Sequence, residues 1–106
     1  MITLNDEQFE EAVLHSQLPV LISLGHAALG SSYLLQQRLQ VLETHFATQI
    51  RCYHFEVHHS STFITAFNIA YLPSLLIFQA GELIEQCQAS LPLDVLRLKV
   101  KLLISQ

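Results

Sequence analysis

The sequence predicts an α/β domain with a mixed central sheet and helices on both of its faces. Three observations carry this. First, PVLISL (Pro19 to Leu24) is a nearly continuous apolar run and SLLIF (Ser74 to Phe78) an apolar one, as central strands covered on both faces require, and IRCYHFEV (Ile50 to Val57) reads as a further central strand. Second, Leu35, Leu39, Leu42 and Phe46 recur at spacings of four, three and four, which is one face of a helix. Third, Ala80-Gly81 separates SLLIF from the strand-like LIEQCQA, so these two runs form a hairpin.

In chain order, Ile2 to Leu4 predicts a short first strand. Asn5 or Asp6 then caps a helix carrying Phe9, Val13 and Leu14, with Glu7, Glu10 and Glu11 suited to its first turns. After the PVLISL strand comes a helix from about Ser31 to Ala47. The IRCYHFEV strand follows, then a short helix over Ser60 to Phe67 and a loop that Pro73 ends. SLLIF and the strand after Gly81 make the hairpin. The last segment, LPLDVLRLKVKLLI, alternates like a strand over residues 96 to 102. Its length, Pro92 and the early Asp94 favour a helix. The order is βαβαβαββα in one domain over residues 1–106, without repeats or low-complexity segments.

Composition narrows the function. The apolar fraction of 51% supports a real core, while 13% charged residues leave a thinly charged surface that suggests a partner. The net charge is −4, and the five basic residues include three within Arg97 to Lys101. That distribution is no phosphate-binding face, so nucleic acid is not expected. The acidic N-terminus lacks a signal-type apolar segment, and no run approaches the roughly 18–20 apolar residues of a bilayer span. The expectation is a cytoplasmic protein away from membranes. Cys52 and Cys87 form no C-x-x-C pair, and two thiols in a reducing compartment usually act as small hydrophobes.

PVLISL with its following loop and long helix, and YLPSLLIFQAGELIE with its proline, strand, Gly turn and strand, together resemble the thioredoxin family over essentially the whole chain. The resemblance implies that Pro73 is the family's cis-proline and that Leu29-Gly30-Ser31-Ser32 stands where the family has Cys-Gly-Pro-Cys. It also sets Ala28 in place of the preceding tryptophan. The family's buried aspartate falls at Ser23, and that residue's lysine partner falls at His54. Thiol–disulfide exchange needs an attacking thiolate, a resolving thiol and a proton route, so the resemblance implies a member without that activity. In the family's sheet order Cys52 and Cys87 lie three strand spacings apart. At ~4.8 Å per spacing that is about 14 Å, too far for a disulfide, whose Cα atoms lie within roughly 7 Å.

The expected function is therefore non-redox protein binding, as an adaptor, assembly factor or chaperone-like module, with no catalytic residue and no cofactor. Leu29, Gly30, Ser31, Ser32, Tyr71, Leu72 and Pro73 form the expected binding face on the former redox tip. Ser32 also reads as a plain helix cap. An alternative is a glutathione-linked enzyme using Ser32 or Cys52, as hydroxyls do in glutathione transferases of this fold. A third reading is a structural homo-oligomer. On the closing helix Leu93, Leu96, Val100, Leu103 and Ile104 form one apolar stripe, while Val95, Leu98 and Leu102 form another on nearly the opposite side. The second stripe is the expected oligomer interface, here a homodimer. Of the six histidines, His26, His58 and His59 fall near one end of the sheet. No further ligand is placed to complete a zinc site, so no metal is expected.

Overall fold

In the computed structural model, residues 1–26, 30–57 and 66–105 are described. The strands are β1 (Ile2–Leu4), β2 (Val20–Gly25), β3 (Arg51–Glu56), β4 (Ser74–Gln79) and β5 (Glu82–Gln88). They form one sheet in the order β1-β3-β2-β4-β5. β1 and β2 run parallel to β3, whereas β4 runs antiparallel to β2 and to β5. The helices are α1 (Asp6–Phe9), α2 (Gly30–Phe46) and α3 (Leu93–Ile104). The helix expected over Ser60 to Phe67 lies outside the described residues, apart from Ala66 and Phe67, which are helical.

Central β2 is buried at every residue, so its side chains feed two cores. Leu21, Cys52, Leu75 and Ile77 join Leu35, Leu39, Leu42 and Phe46 of α2 and Leu96, Val100 and Leu103 of α3. Val20, Ile22, Leu24, Phe55, Leu76 and Phe78 join Phe9 and Val13 on the opposite face. There Phe9 meets Phe55, Phe67 and Phe78 edge to face at 6.1, 5.6 and 5.6 Å, the geometry that aromatic quadrupoles favour.

Asn5 starts α1 with a capping box: its Oδ1 accepts from the Gln8 N–H at 2.9 Å, and its own N–H donates to Gln8 Oε1 at 3.0 Å. The helix then widens into a π-helical turn over Glu10–Leu14, a change that the apolar spacing does not encode. The hairpin turn takes Ala80 to φ 53° and Gly81 to φ 80°, the left-handed pair that a tight two-residue connection needs. A Cβ on Gly81 would also lie 2.8 Å from the Leu14 carbonyl oxygen. Gly81→Ala is therefore expected to cost about 1–2 kcal/mol in urea unfolding. An unchanged midpoint would show that the turn relaxes freely.

The closing segment is helical, and its two stripes separate by burial. Leu96, Val100 and Leu103 are buried with Leu93 and Ile104 against the core, while Val95, Leu98 and Leu102 face solvent at 39%, 58% and 59% exposure. Among the described residues no helix is long and apolar enough to cross a membrane.

Candidate binding face at the end of the sheet

Parallel pairing sets Gly25, the last residue of β2, beside Glu56, the last of β3. On the other side of Gly25, Pro73 leads into β4 through a cis Leu72-Pro73 peptide bond. α2 begins at Gly30 and brings Ser32 down onto this row. A Cβ built on Gly25 would lie 2.4 Å from Ser32 Oγ and 3.0 Å from Pro73 Cβ, so only glycine lets helix, strand and proline meet this closely. The structure thus brings Ser32 and Pro73 together. Gly30 and Ser31 are exposed in the first turn of α2, and Tyr71 and Leu72 are exposed beside Pro73 at 37% and 43%. The Tyr71 hydroxyl donates to the Gln86 carbonyl oxygen at 3.4 Å, and Gln86 Oε1 accepts from the Ala70 N–H at 3.1 Å. These bonds tie the segment before Pro73 to β5. Leu29, like His58 and His59, lies outside the described residues.

Ser32 is not a helix cap, which corrects that reading. It is the third residue of α2, it is buried, and its hydroxyl is the single buried side-chain polar atom without a hydrogen-bond partner among the described residues. The Ser-Ser pattern suggested a cap, but the helix starts earlier, at Gly30, and the hydroxyl turns toward Gly25 and Pro73 instead. An unpaired buried hydroxyl costs about 1–3 kcal/mol. Ser32→Ala is accordingly expected to raise stability by about 1 kcal/mol, read as a higher thermal midpoint; a loss would mean that the hydroxyl is held by an ordered water.

Beneath this face runs a chain of polar contacts. Ser23 Oγ lies 3.0 Å from His54 Nδ1, and His54 Nε2 lies 2.9 Å from Glu56 Oε1. The other oxygen of the same carboxylate is 3.4 Å from His26 Nδ1. Ser23 and His54 are fully buried cross-strand partners, whereas His26 is half exposed. An ionised carboxylate only accepts, so the tautomer that suits Glu56 carries its proton on Nε2 of His54, which leaves Nδ1 to accept from the Ser23 hydroxyl. The positions where the thioredoxin resemblance expects an aspartate and a lysine are thus joined by a serine–histidine bond. Glu56 and His26 extend the chain to the surface. Sequence reading passed over Glu56, although its two-residue spacing from His54 puts both on one face of β3. Among the described residues no group of three His, Cys, Asp or Glu side chains is arranged to hold a metal ion.

Both cysteines are free and buried. Burial, reinforced by the Glu43 carboxylate, pushes the Cys52 thiol far above its ordinary range. Cys52 therefore lacks both the thiolate and the access that a glutathione-linked enzyme needs. Burial, then hydrogen bonding to Glu85, pushes the Cys87 thiol up to about 11. Its Sγ donates to Glu85 Oε2 at 3.3 Å, and Lys99 Nζ donates to the same oxygen. The hydrogen bond from Lys99 holds the Glu85 carboxyl below its usual range, and Glu85 in turn raises the Lys99 ammonium. Glu85 is partly solvated, so the pair is a modest contributor. Its stabilisation is present above the ordinary carboxylate range and is lost as pH falls through the lowered Glu85 value. On the alkaline side it is lost as pH rises through the raised Lys99 value. In Glu85→Gln both limbs of the stability–pH curve are expected to flatten; superimposable curves would show that the pair contributes nothing.

The thioredoxin family model matches residues 1–101. The chain is 27% identical over 97 residues to an M-type chloroplastic thioredoxin of Pisum sativum, with 92% of this chain aligned, and it spans 56% of that protein's length. It is 26% identical over 92 residues to the M-type chloroplastic thioredoxin of Spinacia oleracea, with 87% of this chain aligned to 51% of that protein. A thioredoxin of Haemophilus influenzae is 23% identical over 92 residues, covering 87% of this chain and 86% of its own length. The chain thus spans about half the length of the two plant relatives. With the sheet order, the helix placement and the Gly25–Ser32–Pro73 contact already established, the match over residues 1–101 means that this chain belongs to the thioredoxin family.

Proposed function

We propose that this chain is a binding module on the thioredoxin scaffold that docks an extended protein segment without thiol–disulfide exchange. It would serve as an adaptor, assembly factor or chaperone-like protein. One observation carries the reading. Ser32 occupies the contact with Gly25 and Pro73 where the family's resolving cysteine is expected, and both cysteines of the chain are buried elsewhere. Exposed Tyr71 and Leu72, backed by the fixed Ala70–Gln86 contact, supply apolar area beside Pro73, which suits recognition of an extended segment. The reading takes the cytoplasm as its compartment, since unpaired thiols suit a reducing one.

The relatives named thioredoxin make thiol redox chemistry the rival outcome, and one pair of assays separates the two. Wild-type protein is expected to leave insulin unreduced in the presence of dithiothreitol beyond the uncatalysed rate. It is also expected to bind reduced, carboxymethylated α-lactalbumin, an unfolded probe without free thiols, in fluorescence anisotropy. Leu72→Asp should weaken that binding roughly tenfold, the cost of about 1.4 kcal/mol in a desolvated contact. Catalysed insulin reduction by the wild type, or binding indifferent to Leu72→Asp, sinks the reading.

A further inference from the structure

The second apolar stripe of α3 carries a charge pattern of its own. Val95, Leu98 and Leu102 project within about 60° of one another at 100° per residue, and all three are exposed. Asp94 and Lys101 lie seven residues apart, two helical turns, so they share one flank of the stripe and mark its two ends. Lys99, on the other flank, is already engaged by Glu85. Among the described residues Asp94 pairs with Arg97 of its own helix, at 3.3 Å, with the Asp94 side chain 94% exposed. Lys101 is exposed and makes no ion pair among the described residues.

We propose that this stripe is covered by the same stripe of a second copy of the chain, with the two α3 helices antiparallel about a two-fold axis passing near Leu98. The pattern is self-complementary in that arrangement alone. Antiparallel packing sets Leu98 against Leu98 of the second copy and Val95 against its Leu102. It also sets Asp94 opposite Lys101 of the second copy, once on each side of the axis. A parallel arrangement would bring Lys101 to the level of Lys99 and Lys101 of the other copy and leave each Asp94 at the far end. Charges placed this way fix orientation more than they add affinity.

The neighbouring sheet edge favours the helix as the contact. β5 is an edge strand, but its pairing with β4 shifts between Ile77 and Phe78, leaving Ile84 as an extra, unpaired residue. Bulges of this kind twist an edge away from further strand addition. Ile84 is 48% exposed. It lines one hollow together with Glu85, Lys99 and Leu102, so it widens the apolar stripe at one end.

The experiment is sedimentation velocity over a wide concentration range, with circular dichroism on each variant to check its fold. Wild-type protein is expected to reach the mass of two chains as concentration rises. Leu98→Glu, at an exposed position, should stay monomeric with an unchanged melting curve. Asp94→Lys and Lys101→Asp should each weaken association roughly threefold to tenfold, since each leaves two like-charge contacts across the axis. Asp94→Lys combined with Lys101→Asp should restore it. A wild type that stays monomeric, including one whose stripe takes up a different protein, overturns the proposal. So does a dimer indifferent to Leu98→Glu, or one that the combined charge exchange fails to restore.

Discussion

His54→Leu is expected to destabilise the protein by about 3 kcal/mol, read as a shift of the urea midpoint at constant slope. The substitution fits the site in volume and removes both ring nitrogens. The Ser23 hydroxyl, fully buried between central strands, then loses its 3.0 Å partner. Glu56 loses the 2.9 Å bond to its inner oxygen. Leaving a buried donor or acceptor without its partner costs about 1–3 kcal/mol, and more for a charged group. The loss at fully buried Ser23, with the smaller one at the partly exposed Glu56 carboxylate, outweighs the gain from an added apolar side chain. Removing both ends of the inner bond should cost less, so Ser23→Ala with His54→Leu is expected to be more stable than His54→Leu alone. If the combined variant is the less stable of the two, the Ser23–His54 bond is not what holds these strands' polar layer together. His26→Ala, at the half-exposed end of the chain, should cost well under 1 kcal/mol.

Much of this architecture was legible in the sequence because its central elements obey a single period. PVLISL is apolar at nearly every position and β2 is buried on both faces; Leu35, Leu39, Leu42 and Phe46 keep one helical face and all four are buried. Pro92 and Asp94 decided between strand and helix for α3 where alternation alone pointed the other way. What stayed hidden depends on small shifts of register or phase. The π-helical turn at Glu10–Leu14 and the extra residue at Ile84 leave hydrophobicity unchanged while rotating or displacing side chains. Ser32 shows the same limit at the site. Its identity fits a helix cap, yet a start at Gly30, two residues earlier, turns its hydroxyl inward onto Gly25 and Pro73. Gly25 itself gave no sign of its role, because the constraint comes from a helix and a proline distant in the chain. Glu56 reads as a polar residue at a strand end, and only the pairing of β3 with β2 sets it next to Gly25 and His26.

On the non-redox reading proposed above, Leu29→Cys with Ser32→Cys is expected to create insulin reductase activity that the wild type does not show. A thiol at position 32 would lie against Gly25 and Pro73 at the start of the seventeen-residue α2. The absence of a Cβ on Gly25 leaves space for the larger sulfur. Helix N-termini favour the thiolate, and the second thiol would resolve the mixed disulfide. Insulin precipitation should therefore appear with the paired substitution and not with either single one, because one thiol alone stops at the mixed disulfide. The rate should be sensitive to the polar layer below. Ser23 supplies no carboxylate to take a proton from the resolving thiol; the polar layer it shares holds only the His54 ring and Glu56. Adding Ser23→Asp to the paired variant is expected to raise its rate roughly tenfold, within the range that a placed acid–base group contributes. If the paired variant forms its disulfide, seen as a loss of two hydrogens in the intact mass, yet reduces nothing, then the face has lost more than its thiols. Its recognition of substrate would then differ from that of its redox-active relatives. If it does reduce insulin, the scaffold still presents a thioredoxin-type surface, and the residues at positions 29 and 32 together separate binding from chemistry.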